Sequence, residues 1–165
     1  MKRYLTLLIC IIFVAACEES KLEPPYTTAS ISENFSSIEN PLLRWRTYDL
    51  SDYALKEGRS CECFGPNSFT AYMSDGDVFD VEYQLPEEGY VGRTEDQIYT
   101  YTKDLAMSVE EAFSLIDEHE STAYRLVVEY DERFGYPSYI SIDIDSMIVD
   151  EEIVRTFSDL ERLVR

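Results

Sequence analysis

Histidine occurs once in this chain, tryptophan once, and 14 basic residues stand against 33 acidic ones. Each scarcity removes a class of function. The lone imidazole, His119, lies between Glu118 and Glu120 with no nucleophile beside it, so it reads as a surface residue and no Ser-His-Asp set can be assembled. A net charge of −19 repels nucleic-acid backbones and anionic lipid, and no nucleic-acid partner is expected. No P-loop or dinucleotide fingerprint occurs. No apolar run reaches the roughly 20 residues of a membrane-spanning helix. Cysteine appears four times, and two of the four, Cys10 and Cys17, fall in the first 17 residues.

What is present begins at the N-terminus. Lys2 and Arg3 precede an apolar run from Leu5 to Ala16, the layout of a secretory signal. The run ends Val14-Ala15-Ala16-Cys17, which looks like a bacterial lipobox. That resemblance implies cleavage after Ala16 and acyl chains on Cys17, palmitate among them. A simple secretory signal is the plainer alternative. More than one acyl chain is needed for stable anchoring, a condition that a triacylated cysteine meets. The expected organisation is a lipoprotein signal peptide over residues 1–16, a tether over 17–30 and one domain over 31–165. The protein is expected in the bacterial cell envelope, facing the periplasm if the cell is Gram-negative. Its mature form would carry 12 basic and 33 acidic residues.

Thirteen tyrosines and eight phenylalanines supply core material, so the charge does not imply disorder. Ile31, Phe35 and Ile38 fall at helical spacing, although Pro41 makes one unbroken helix to residue 46 doubtful. Asn40-Pro41 instead predicts an N-cap and first position for a short helix bearing Leu42, Leu43 and Trp45. From Asp52 the period changes to two. Residues 52–64 predict a strand with a break at Gly58, and residues 67–83 a hairpin turning at Asp75-Gly76. A long polar connection over 84–107 could hold a short strand at 97–102. Ser108 and Glu111 form a capping box ahead of Val109, Ala112, Phe113 and Ile116, the clearest helix in the chain. Two strands follow around a turn at 132–137, and residues 151–160 read as a last strand or a helix; the alternation of Ile153, Arg155 and Phe157 favours a strand, with residues 160–165 frayed or in a final turn. The pattern helix-β-β-β, twice, predicts an α+β domain whose two helices pack on one face of an antiparallel sheet.

Trp45, residues 52–64, the "DG" hairpin, "SVEEAFSLI", "VEYDERFGYPSYISID" and "DEE" together resemble the domain-of-unknown-function family 6174 over about residues 42–160. The most specific parts are Cys61-x-Cys63 and the stretch from Tyr130-Asp131 through Gly135-Tyr136-Pro137 to Asp143. Ser108 stands where the family usually has Thr, which keeps the cap, and Phe64-Gly65-Pro66 replaces a Pro directly after the second cysteine. The resemblance implies a secreted or lipid-anchored protein; the family has no assigned activity, so it points to architecture and not to chemistry.

Three sets of residues carry possible chemistry. Cys61 and Cys63 lack the further N or S ligands that zinc wants, and Glu62 between them opposes thiolate formation. In an oxidising compartment each has only the other as an intramolecular partner once Cys10 is removed and Cys17 acylated, which favours a local disulfide. Alternate residues of a regular strand lie at the long edge of disulfide geometry, so the bond needs a bend. Tyr130, Asp131, Tyr136 and Tyr139 could form a binding surface, but each also has an ordinary role in a turn around Gly135, and that role is the simpler one. Asp143, Asp145 and Asp150-Glu151-Glu152 could hold calcium; Met147 breaks the EF-hand pattern, and a solvated acidic face accounts for them. No cofactor and no catalysis are expected. The leading reading is a binding or accessory module for another envelope protein or a small ligand. A divalent-cation binder using the Asp143–Glu152 acids is the alternative. An enzyme, with Tyr130, Asp131 and Asp143 around a deep pocket, is the third.

Overall fold

The computed structural model describes residues 24–60, 64–85, 90, 92–148 and 152–164. In chain order the elements are β1 (Thr28–Ala29), α1 (Pro41–Thr47), β2 (Asp52–Ser60), β3 (Ser68–Ser74), β4 (Asp77–Glu82), α2 (Glu95–Leu105), α3 (Val109–His119), β5 (Arg125–Tyr130), β6 (Pro137–Asp143) and β7 (Ile153–Leu163). The seven strands form one antiparallel sheet in the order β4-β3-β2-β7-β6-β5, with β1 paired to the end of β7. The architecture is α+β, as the periodicity predicts. No described helix is long and apolar enough to cross a membrane.

Strand parity decides what the sheet buries. Tyr53, Leu55 and Glu57 of β2, Phe69, Ala71 and Met73 of β3, Ile140 and Ile142 of β6 and Phe157 of β7 all turn to the same side. There Trp45 of α1 and Val109 and Ala112 of α3 meet them in the main core. The opposite face carries a smaller cluster of Ala54, Tyr72 and Leu163, against which Tyr26 and Phe79 pack. Tyr26 donates to Asp80 Oδ2 at 2.5 Å, Tyr99 of α2 donates to Asp80 Oδ1 at 2.7 Å, and the Val164 N–H donates to the Thr27 carbonyl at 2.9 Å. The segment read as tether is thus fastened to the sheet before residue 30.

Local signals explain most boundaries. Asn40 Oδ1 accepts from the Leu43 N–H at 2.8 Å, with Pro41 opening α1. Asp75 (φ 52°) and Gly76 (φ 90°) both take the left-handed region, the geometry of a two-residue hairpin turn. Ser108 Oγ accepts from the Glu111 N–H while a Glu111 carboxylate oxygen accepts from the Ser108 N–H at 2.7 Å. The first of these bonds goes with the hydroxyl while the backbone N–H of residue 108 keeps its acceptor, so Ser108→Ala should cost about 1 kcal/mol in urea unfolding.

Four expectations are corrected. Residues 97–102 belong to α2, not to a strand: Thr94 and Gln97 form a second capping box and bury Ile98 and Thr102. Residues 31–40 form no helix; Arg133 donates to the carbonyls of Ile31 and Glu33, and the Tyr48 hydroxyl accepts from the Phe35 N–H. β2 runs through Gly58 unbroken because its neighbour on β7, Thr156, fills the space a side chain would take. The described residues therefore hold three helices. The last strand also continues to Leu163, beyond the fraying expected after residue 160.

Candidate functional site

The concave feature nearest the residues singled out in the sequence lies between α1 and α3. The two helices are tied by Trp45, 3% exposed, whose indole N–H donates to Glu110 Oε1 at 2.7 Å. Beside this tie runs a groove of about 610 Å³. Leu42, Phe113 and Ile116 give it an apolar floor, Arg46 a cation, and Glu110, Asp117 and Glu120 a carboxylate rim. Tyr130, at the end of β5, closes one side and stacks on Phe113 with ring centroids 6.0 Å apart. Burial raises the Tyr130 phenol above its ordinary value, and the charge of Glu120 raises it further. Asn40 and Glu110 are engaged in holding the helices, which leaves Arg46, Asp117, Glu120, the Tyr130 hydroxyl and the apolar floor to meet a ligand.

The other candidates separate. Asp131 Oδ1 accepts from the N–H groups of Arg133 and Phe134 at 2.9 and 2.6 Å, and its carbonyl accepts from Gly135 at 2.9 Å. It orders the β5–β6 turn. Tyr136 is 4% exposed, edge-on to Trp45 and stacked with Phe134, so it is a core residue and not a surface one. It has the even parity of Ile140 and Ile142, the residues of β6 that face the main core. Tyr139 lies on the face opposite the main core, out of phase with Ile140 and Ile142, and Asp143 sits at the end of β6 opposite Arg125. Tyr130 alone of this set lines the groove.

Cys17, Cys61 and Cys63 lie outside the described residues, as do Asp150 and Glu151. The described flanks of the cysteine pair are held firmly. Arg59 donates from Nε to the Pro66 carbonyl at 2.9 Å and from Nη2 to the Phe64 carbonyl at 2.7 Å, and its N–H bonds the Asn67 carbonyl at 2.9 Å. Asp145 Oδ1 accepts from the Met147 N–H at 2.9 Å in a turn. Among the described residues no group of three or more His, Cys, Asp or Glu side chains is set to hold a metal. His119, at the end of α3, places Nδ1 3.0 Å from the Leu115 carbonyl.

A buried polar pair escaped the sequence reading. Glu57 is 1% exposed on the core side of β2; one carboxylate oxygen accepts from the Met107 N–H at 3.0 Å, while the other has no partner among the described residues. Arg155 of β7 buries Nη1, also unpartnered, and lines a hollow of about 360 Å³ with Glu111 and Glu118. Burial pushes the Glu57 carboxyl up to about 8, against the pull of the Met107 N–H and the Arg155 charge. Burial likewise lowers Arg155, and Glu57 opposes that shift. Their electrostatic coupling is felt without an ion pair within 4 Å, so the pair is positioned and not bonded. A signal was available: Tyr53, Leu55, Glu57 and Arg59 share one parity, which places an acid on the apolar face of a strand.

No match to the chain was found among curated proteins or among solved structures. The family model DUF6174, described as a family of unknown function, matches residues 37–162, from the approach to α1 to the end of β7. With that match over most of its length, the chain belongs to this family.

Proposed function

We propose that this protein is a lipid-anchored bacterial cell-envelope protein whose domain is a non-catalytic binding module, and that the α1–α3 groove receives a partner protein. The observation that carries the reading is the pairing of an apolar floor with the rim carboxylates of Asp117 and Glu120. Such a surface favours a segment that inserts one apolar side chain and flanks it with Lys or Arg. The acidic excess of the whole chain favours the same basic partner and speeds its encounter. The lipobox-like residues ending at Cys17 support the anchor, and acyl chains there would supply the contact with the membrane.

Two measurements test this. Cells fed an alkynyl palmitate should label the wild-type chain and leave Cys17→Ala unlabelled; label in both, or in neither, rejects the anchor. A photo-crosslinking residue in place of Ser114 should capture one envelope protein reproducibly in membranes. Adding Asp117→Lys and Glu120→Lys should cut that yield at least about tenfold, since each rim charge then repels a basic segment. Yield unchanged by the reversals, or no specific adduct, rejects the groove.

A further inference from the structure

The sheet has two edges, β4 and β5. α2 packs against β4. Among the described residues nothing pairs with the outer side of β5, which leaves a row of backbone N–H and C=O groups able to accept another strand. β5 contains neither proline nor glycine, and its register to β6 is regular from Arg125 to Glu129. Arg125 and Glu129 are exposed and neither makes an ion pair within 4 Å among the described residues; Arg125 faces Asp143 across β6 without closing one. Leu126 and Val128 turn to the helix side, where Leu126 packs against the core.

These side chains are self-complementary. We propose that β5 is an interaction surface for a second copy of this chain, which adds antiparallel to the edge about a two-fold axis at Val127. In that register Arg125 stands opposite Glu129 of the second copy and Glu129 opposite its Arg125, so both unpaired charges are matched at once. Leu126 meets Val128 on the inner face, and Val127 meets Val127. An axis at Leu126 sets both charges opposite uncharged residues, and an axis at Val128 sets Glu129 opposite Val127 and Arg125 opposite Asp131, whose carboxylate is engaged in the β5–β6 turn, so only the axis at Val127 matches both charges. A slip by one residue would also turn Leu126 away from the apolar side. Edges protected against a second strand carry charges that repel or a proline that blocks; this edge carries one charge of each sign, four residues apart. Tyr124, 67% exposed and unused by the fold, lies at the end of the same surface. A pairing this short buries less than a standard interface, so the dimer should form in a concentration-dependent way. The surface adjoins the groove at Tyr130, which this register sets opposite Tyr124 of the second copy, but the proposal does not rest on the groove reading.

The test is sedimentation equilibrium of the full chain in density-matched detergent, over a concentration series. Wild type should show a monomer–dimer equilibrium. Arg125→Glu alone turns both symmetry-related pairs into like-charge pairs and should raise the dissociation constant at least about tenfold, and Glu129→Arg alone should do the same. Combining the two restores opposite charges and should restore the dimer. Circular dichroism melts of the three variants should match wild type, because both positions are exposed. A strictly monomeric wild type, a dimer indifferent to single reversals, or failure of the double reversal to rescue overturns the proposal.

Discussion

Glu57→Gln should make the protein less sensitive to alkali, and its unfolding curve against pH should cross that of wild type. The carboxyl is raised from 4.5 to about 8 by burial. Below 4.5 both folded and unfolded chains carry the proton. Between 4.5 and 8 the unfolded chain releases it and the native chain keeps it, so stability contributed by the neutral acid is lost as pH rises through the folded value. The whole span is worth roughly 3–5 kcal/mol at 1.36 kcal/mol per pH unit. Glutamine keeps an acceptor for the Met107 N–H and cannot ionise. It leaves a buried amide donor short of a partner, so near pH 5 the variant should be about 1 kcal/mol less stable than wild type. Above pH 8 it should be the more stable by a few kcal/mol. Other carboxylates and the self-repulsion of the acidic chain also vary with pH, but they cancel in the difference between the two curves. Urea titrations at closely spaced pH values decide it. Parallel curves would mean that Glu57 is ionised in the native state throughout.

The second large effect is expected at Gly135, in the turn that carries Asp131. Its φ is 84°, and a Cβ placed there would overlap the Pro41 carbonyl oxygen and approach Arg44 Cβ to 3.0 Å. Gly76 has nearly the same φ, 90°, with nothing within 4 Å of such a Cβ. The two positions separate backbone strain from collision. Gly76→Ala should cost about 1 kcal/mol, the penalty of a left-handed residue with a side chain. Gly135→Ala should cost about 3–4 kcal/mol, because α1 must also move off the turn. That movement pulls on Arg44, whose Nη1 bonds the carbonyls of Asp131 and Glu132 at 3.3 and 2.5 Å. It therefore opens the floor of the groove as well. Denaturant midpoints of the two variants measured side by side check it; equal losses would show that α1 yields freely.

Features held by near neighbours were readable in the chain. The Ser108–Glu111 box, the Asn40-Pro41 start and the Asp75-Gly76 turn each close within four residues, and each stands where its residues predict. Features held from far away were not. Ile31, Phe35 and Ile38 mimic a helix, but Arg133 and Tyr48 take the backbone bonds a helix would need. In α2, Tyr99 and Tyr101 alternate with threonines and imitate a strand; the deciding cap, Thr94 with Gln97, lay just upstream and is as local as the one that was read. The groove was half visible. Tyr130 was marked, but Arg46, Glu110 and Glu120 come together only when α1 crosses α3, a packing that no spacing in the sequence encodes. Tyr136 reads in the sequence as a binding-surface or turn residue, whereas this turn folds back beneath Phe134 and Trp45 and buries it.

The fastening of residues 26–29 has a mechanical side. β1 lies beside Arg162 and Leu163 of β7, and β7 pairs along most of its length with β2 in the middle of the sheet. Tension entering along the N-terminal segment is met first by Tyr26 on Asp80 and by the bonds of β1, not by the helices or the groove. Ile31, buried in the main core two residues beyond β1, is the next attachment along the chain. The strap therefore stands between such a load and α1, α3 and the surface between them.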